Sequence, residues 1–286
     1  MYECAKLVDT GAMHLEPRRI NIYEQEKGDI SQLFDEKSDN LFRNAIQRKS
    51  EMTWPPYGGF VYIPWRTVGN YTQQDLAVIR QALARIQTAT CVRFVPKTTH
   101  KDYITFLNKP NEGCYSTVGR TYGENIISLE SNPEATCVHY DIVIHEILHS
   151  LGLWHEHMRY DRDKFVSINY RNIPEKFWRQ FSKISQQRSS TYNISYDYKS
   201  VMHYSKSSFA LNGNTSLITI QTKDPKMLDI IGTVRDAANS DLLKICRIYN
   251  CGACLGGALP PMPTTTTSTL TPTRKFFLPY FSPISK

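Results

Sequence analysis

The residues with the clearest chemical potential lie together in the stretch DIVIHEILHSLGLWHEHMRYDRD, which runs from Asp141 to Asp163. Ile142, Val143, Ile147, Leu148 and Leu151 supply apolar faces for a helix, and Gly152 falls where that helix would stop. His145 and His149 are four residues apart, so on a helix both imidazoles leave one face about a turn apart. That spacing lets two ring nitrogens reach one ion at about 2.0–2.1 Å. Glu146 shares the turn, near the ion without having to bind it. Gly152 can take φ > 0 and reverse the chain, which returns His155 as a third ligand. Three neutral imidazoles leave a fourth position for water, the arrangement of a catalytic metal site rather than a structural one. A structural zinc site would normally include thiolates, and no cysteine lies near this helix in sequence.

The elements that must position these residues are visible on either side. Thr72-Gln-Gln-Asp75 has the form of a capping box, and Leu76, Ile79, Leu83 and Ile86 follow at helical spacing. Residues 60–63, 91–95, 103–107 and 126–129 read as short strands. Helices among short strands predict an α+β fold. Residues 1–43 are acidic and too poor in apolar runs to form a core of their own. The end of the chain, Pro260-Pro-Met-Pro followed by Thr264-Thr-Thr-Thr-Ser-Thr, is low-complexity and buries little. No internal repeat is visible.

Composition excludes several classes. Of 286 residues, 41% are apolar and 12% aromatic, enough for a core and too many for a disordered chain. No run of residues is long and apolar enough to span a membrane. The net charge of +7 is mild and forms no basic stripe with interleaved aromatics, which argues against a nucleic-acid partner. Seven cysteines stand at 4, 91, 114, 137, 246, 251 and 254, and only the last two have ligand-like spacing. One CxxC cannot close a zinc site alone, so disulfides in an oxidising compartment are the better reading. Candidate glycosylation sites at Asn70, Asn193 and Asn214 agree with that compartment. The first ten residues, MYECAKLVDT, contain no apolar leader core. The expectation is therefore a secreted protein whose leader lies upstream of Met1.

The active-site stretch resembles the signature of the metzincin zinc peptidases, and its continuation through Glu156, Arg159 and Asp161-Arg162-Asp163 resembles the astacin family. Ser200-Val-Met-His-Tyr204 matches that family's Met-turn. Further matching stretches are Thr90–Pro96, Gly113–Arg120 and Cys246–Cys251, so the likeness covers about residues 44–251. It implies a metzincin fold: an N-terminal twisted mixed sheet with two long helices, an active-site cleft, and a more irregular C-terminal subdomain. It further implies one Zn2+ held by His145, His149 and His155, with Glu146 as general base and acid. Met202 becomes an apolar floor beneath the histidines, and Tyr204 a displaceable fifth ligand that stabilises the oxyanion. Substrates are extended polypeptides laid antiparallel along an edge strand. The implied disulfides are Cys91–Cys246 and Cys114–Cys137, the first worth roughly 4–5 kcal/mol on a chain-entropy estimate. Cys251 and Cys254 would then begin a degenerate cysteine-rich module.

The same resemblance assigns residues 1–43 as an inhibitory pro-segment, 44–251 as the peptidase domain and 252–286 as a Pro/Thr-rich tail. Family zymogens place an aspartate from a Phe-x-Gly-Asp motif on the zinc. The matching stretch is Glu26-Lys-Gly28-Asp29, which has Glu26 in place of phenylalanine. An activating protease cutting after Arg43 would free Asn44, whose new ammonium group would approach Glu156. The expected function is a secreted zinc endopeptidase made as a zymogen. The alternative is a catalytically silent binding or scaffold protein on the same fold, against which stands the presence of Glu146, all three histidines and Tyr204.

Overall fold

The computed structural model describes residues 17–22, 25, 28–30, 45–48, 50–187 and 189–259. Glu26, Arg43, Asn44 and Cys4 therefore lie outside the described residues. A two-residue strand, β1 (Arg18–Arg19), precedes the main body. The hairpin of β2 (Pro56–Tyr57) and β3 (Phe60–Val68) begins a six-stranded mixed sheet. Helix α1 (Gln73–Ala89) leads to β4 (Val92–Pro96), followed by β5 (Tyr103–Leu107), β6 (Cys114–Ser116) and β7 (Glu124–Leu129). The pairs β3–β4, β3–β5 and β5–β7 are parallel, whereas β6 lies antiparallel to β7 at the sheet edge. The parallel pairing of β3 with β4 needs a long crossover, and α1 is that crossover.

Local chemistry explains α1. Thr72 Oγ1 accepts from Asp75 N at 3.1 Å while the Asp75 carboxylate accepts from Thr72 N at 2.9 Å, closing the capping box. Its buried stripe, Ile79, Ala82, Leu83, Ile86 and Ala89, joins the core with Val61, Ile63, Ile104, Phe106, Ile127 and Leu129 of the sheet. After β8 (Ala135–Thr136), which pairs parallel with β1, comes α2 (Tyr140–Ser150), the helix of the two histidines. It is buried from Ile142 through Ser150, as a helix apolar on most sides must be.

Beyond α2 regular structure thins. Four short 3-10 segments (156–158, 162–164, 170–172 and 175–181) surround β9 (Val166–Ile168), which pairs antiparallel with β10 (Ile220–Thr222). Helix α3 (Asn239–Tyr249) then packs its Leu242, Ile245, Cys246 and Ile248 into the main core. A small hairpin of β11 (Ala253–Cys254) and β12 (Gly257–Ala258) ends the described chain. This is an α+β architecture with an orderly sheet half and a turn-rich second half.

The disulfides require a correction. Cys114 pairs with Cys137, but Cys91 pairs with Cys251 rather than Cys246, and Cys246 pairs with Cys254. The reason lies at the exit of α3. Asn250 takes a left-handed conformation (φ 51°, ψ 48°) that turns the chain back toward the α1–β4 junction. Cys251 then meets Cys91, whose N–H points at the Cys251 sulfur at 3.1 Å, and Leu255 N donates to Ala89 O at 2.8 Å. Cys251 and Cys254 thus close the domain instead of opening a lost module, and the folded body runs past residue 251 into the β11–β12 hairpin.

Candidate active site

Helix α2 ends in a tight reversal. Trp54 Nε1 donates to Ser150 O at 2.9 Å, Tyr249 Oη donates to Leu151 O at 3.0 Å, and Leu153 N donates to Leu148 O at 3.0 Å. Gly152 sits at φ +109°, where a Cβ would stand 2.6 Å from Ile46 Cδ1. Glycine serves twice here, for the backbone angle and for the close approach of Ile46. The reversal brings His155 alongside His145 and His149.

Carbonyl partners fix the imidazole tautomers. His145 Nδ1 lies 2.8 Å from Val201 O and His149 Nδ1 lies 2.6 Å from Leu153 O. A carbonyl can only accept, so each Nδ1 carries the proton and each Nε2 presents a lone pair. The Nε2 atoms of His145, His149 and His155 are 3.0, 3.2 and 3.3 Å apart. A tetrahedron with zinc–nitrogen bonds of about 2.0–2.1 Å has edges of about 3.3 Å. Two lone pairs fixed in this way, with the His155 nitrogen converging on the same point at such spacing, make a donor set that fits zinc.

Asp29 supplies the fourth corner of the cluster. Its Oδ2 is 2.9 Å from His145 Nε2, 2.8 Å from His155 Nε2 and 3.8 Å from His149 Nε2. Among the described residues, Asp29 and the three histidines form the group that could hold a metal ion. The imidazoles hold the Asp29 carboxyl well below its usual range, outweighing the upward push of complete burial. Glu146 is fully buried, and neither of its oxygens accepts a hydrogen bond among the described residues. Burial first, and then the charge of Asp29, push its carboxyl well above the usual range. An orphaned carboxyl beside a metal cluster is poised to take a proton.

The Met-turn is tied to α3. Ser200 Oγ donates to Asp241 Oδ1 at 2.6 Å and Val201 N to Asp241 Oδ2 at 3.1 Å, so a buried carboxylate fixes the carbonyl that orients His145. Met202 is fully buried, and its carbonyl accepts from Glu156 N at 2.9 Å. Tyr204 stacks on His157 with ring centres 4.1 Å apart and meets the His155 ring at 4.2 Å. Its hydroxyl lies 3.3 Å from Asp29 Oδ1. Glu156 accepts from Lys244 Nζ at 2.5 Å, Arg159 Nη1 at 3.0 Å and Asp197 N at 3.0 Å. Burial raises its pKa, and the charges of Lys244 and Arg159 more than reverse this. Lys244 brings an ammonium to Glu156 in this uncut chain, and Asn44, whose freed N-terminus the resemblance brings to Glu156, lies outside the described residues. Sequence reading missed Lys244, His157 and Gln180, which owe their place at the site to folding rather than to any local pattern. Asn70, Asn193 and Asn214 are all exposed, remote in sequence from the cluster.

Three imidazoles converging on one point, with a buried carboxyl beside them, define a zinc metallopeptidase. Residues 46–250 match the family model Astacin (Peptidase family M12A), and the chain belongs to the astacin family. The zinc metalloproteinase nas-5 of Caenorhabditis elegans is 40% identical over 254 residues, covering 83% of this chain and 70% of that one. The astacin-like metalloendopeptidase of Mus musculus is 37% identical over 201 residues, 69% of this chain and 43% of that one. Among solved structures, high choriolytic enzyme 1, a hatching enzyme zinc-protease from Oryzias latipes, superposes with a TM-score of 0.64 at 32% identity, covering 71% of this chain and 96% of that one.

Proposed function

We propose that this chain is a secreted zinc endopeptidase that cleaves internal bonds of extended polypeptides and is held latent by its N-terminal segment. The observation that carries the reading is Asp29 Oδ2, seated 2.8–2.9 Å from the Nε2 atoms of His145 and His155 where a reacting water would stand. Zinc, when bound by the three histidines, supplies Lewis acidity that makes a water nucleophilic near neutral pH and polarises the scissile carbonyl. Glu146 takes the proton of the attacking water on a carboxylate oxygen and gives it to the leaving amine. The Tyr204 hydroxyl donates to the oxygen that becomes negative.

Chain direction supports latency. Ile30 bridges Ser116 of the edge strand β6 in parallel fashion. A family substrate pairs antiparallel with its edge strand, so the N-terminal segment crosses the cleft in the reverse sense and offers no correctly oriented bond. An activating protease cutting near Arg43 would separate residues 1–43 from the peptidase. Three disulfides and exposed acceptors at Asn70, Asn193 and Asn214 support an extracellular location. Among the described residues no helix is long and apolar enough to cross a membrane.

Hydrolysis of a casein-type substrate by the full chain tests this reading, with zinc content measured alongside. The uncut wild type should be zinc-loaded and inactive, and Asp29→Ala should be active without any cut. Glu146→Gln in the Asp29→Ala chain should keep zinc and lose activity by about 10²–10⁴-fold. An uncut wild type as active as Asp29→Ala would rule out latency through Asp29.

A further inference from the structure

Beside His145 lies a cavity of about 260 Å³ that the proposed mechanism leaves unused. One wall is the N-terminal segment, residues 19–22. The other comes from the peptidase: Asp141 and Ile142 of α2, Val201 and Ser205 around the Met-turn, and Val234 and Arg235 before α3. The isoleucine and the two valines give the cavity apolar sides, and Asp141 gives it a carboxylate. A guanidinium already sits on that carboxylate. Arg19 Nη1 donates to Asp141 Oδ1 at 3.0 Å and Nη2 donates to Oδ2 at 2.5 Å, the two-pronged pairing that a planar fork makes with an acid. Backbone bonds on either side hold Arg19 there, from Arg18 N to Glu134 O at 2.8 Å and from Ile20 N to Thr136 O at 2.9 Å. A second cation, Arg235, donates through Nη1 to Oδ2 at 2.5 Å. The Asp141 side chain is 11% exposed and that of Arg235 67%, so the acid lies inside and this partner outside. Burial pushes the Asp141 carboxyl up, and the two guanidiniums more than reverse this. Among the described residues, Arg19 is the one partner of Oδ1.

We propose that Asp141 is a specificity-determining residue whose carboxylate takes the guanidinium of a substrate arginine beside the scissile bond, in the place that Arg19 holds in the uncut chain. The inference rests on the reading that residues 1–43 leave the cleft. Their departure takes the partner from Oδ1 while Arg235 keeps Oδ2, which leaves a half-satisfied acid next to apolar walls. An arginine side chain matches such a site along its whole length, with its methylenes against the apolar sides and its fork on the acid. Lysine brings a point charge in place of a fork and matches it less closely. Because His145 lines the cavity, the side chain that enters belongs to a residue next to the bond being cut.

The test uses the zinc-loaded full chain cut by trypsin, with trypsin and the released segment removed by gel filtration and any rate that survives a chelator subtracted. Fluorogenic peptides carry arginine, lysine or citrulline in turn at each of the three positions on either side of the scissile bond. Citrulline has the shape of arginine without its charge. At one position adjacent to the bond, kcat/KM for arginine should exceed that for citrulline by about tenfold, and that for lysine by a smaller factor. In Asp141→Asn, with zinc content and thermal unfolding checked, the arginine-to-citrulline ratio should fall to about one. Arg235→Met removes an exposed competitor for the same carboxylate, so there the ratio should rise by about two- to threefold. That variant decides the matter if Asp141→Asn does not fold. A wild-type ratio of one at both adjacent positions would overturn the inference, as would an unchanged ratio in Asp141→Asn or a lowered one in Arg235→Met. An uncut chain as active as the cut one would overturn the latency reading alone, since the ratio measured on the cut chain still decides the role of Asp141.

Discussion

Among the described residues, the stretch 60–150 buries no lysine or arginine, whereas 156–249 buries Arg159, Arg162, Lys244 and Arg247. The first stretch is built from the sheet and two helices, and its apolar side chains interdigitate between them. The second has little regular structure, so its backbone groups find fewer ladder partners and its side chains take up the hydrogen bonding. Arg162 holds the carbonyls of His157 and Phe181, and Asp241 holds the turn at Ser200 and Val201. Two of the three histidines stand on α2 in the apolar half, the carbonyl of Val201 that orients His145 and the ring of Tyr204 come from the polar half, and Leu153 and His155 lie on the turn between them. The lesson is one of division: burial of apolar surface sets the helix in place, and directional contacts set the chemistry around it.

The largest effect on stability should come from the bond that joins the halves. Replacing Cys91 and Cys251 by alanine opens a loop with a sequence separation of 160, against 8 for Cys246 and Cys254. On chain-entropy grounds the first pair is worth about 5 kcal/mol and the second about 2.5 kcal/mol. Denaturant unfolding of the two double variants measures both, and equal losses would show that neither loop length nor the joining of halves governs their contribution.

Next in size is the buried charge cluster. Lys244→Met should destabilise by about 3–5 kcal/mol, because Glu156 is left buried with one of its two cationic partners gone. Ile86→Val in the apolar half, a loss of one methylene, should cost only about 0.5–1.5 kcal/mol. If chemical denaturation ranks them in the opposite order, the polar half is not held by its buried ions. The smallest effect belongs to Thr72→Ala, which breaks the capping box of α1 and should cost about 1 kcal/mol with activity intact. A loss of activity at unchanged stability would show that the start of α1 acts on the active site.

What the sequence revealed follows the same division. The capping box at Thr72, the strand at Tyr103–Leu107 and the histidine helix are local patterns, visible because apolar burial is periodic. Helix α3 escaped because Asp241 and Lys244, both buried, interrupt its apolar stripe. The strands β6, β9 and β10 are three residues long, too short for alternation to register. The partners of Cys91 and Cys246 depended on a single left-handed residue, Asn250, which has no sequence signature strong enough to reorder two bridges. The zinc ligands were legible because one helix and one turn carry them all. Lys244 and Gln180 reach the site from distant segments, and only folding brings them there.

The burial of Ile46 has a further consequence for activation. Ile46 N donates to Gly152 O at 3.0 Å, Ala45 bridges Leu153, and both side chains are fully buried while the chain is still continuous. The segment beyond the Arg43 bond is thus already seated at the exit of the histidine helix, and Asp29 is already seated at the cluster. The contacts of Asp29 lie on one side of that bond and those of Ala45 and Ile46 on the other. On the latency proposed above, the cut changes the molecularity of inhibition: a tethered carboxylate, present at an effective concentration of roughly millimolar, becomes a separate peptide at the concentration of the protein itself. On that proposal onset of activity is governed by dilution and by competition from substrate, so the same cut should switch on a dilute sample faster than a concentrated one.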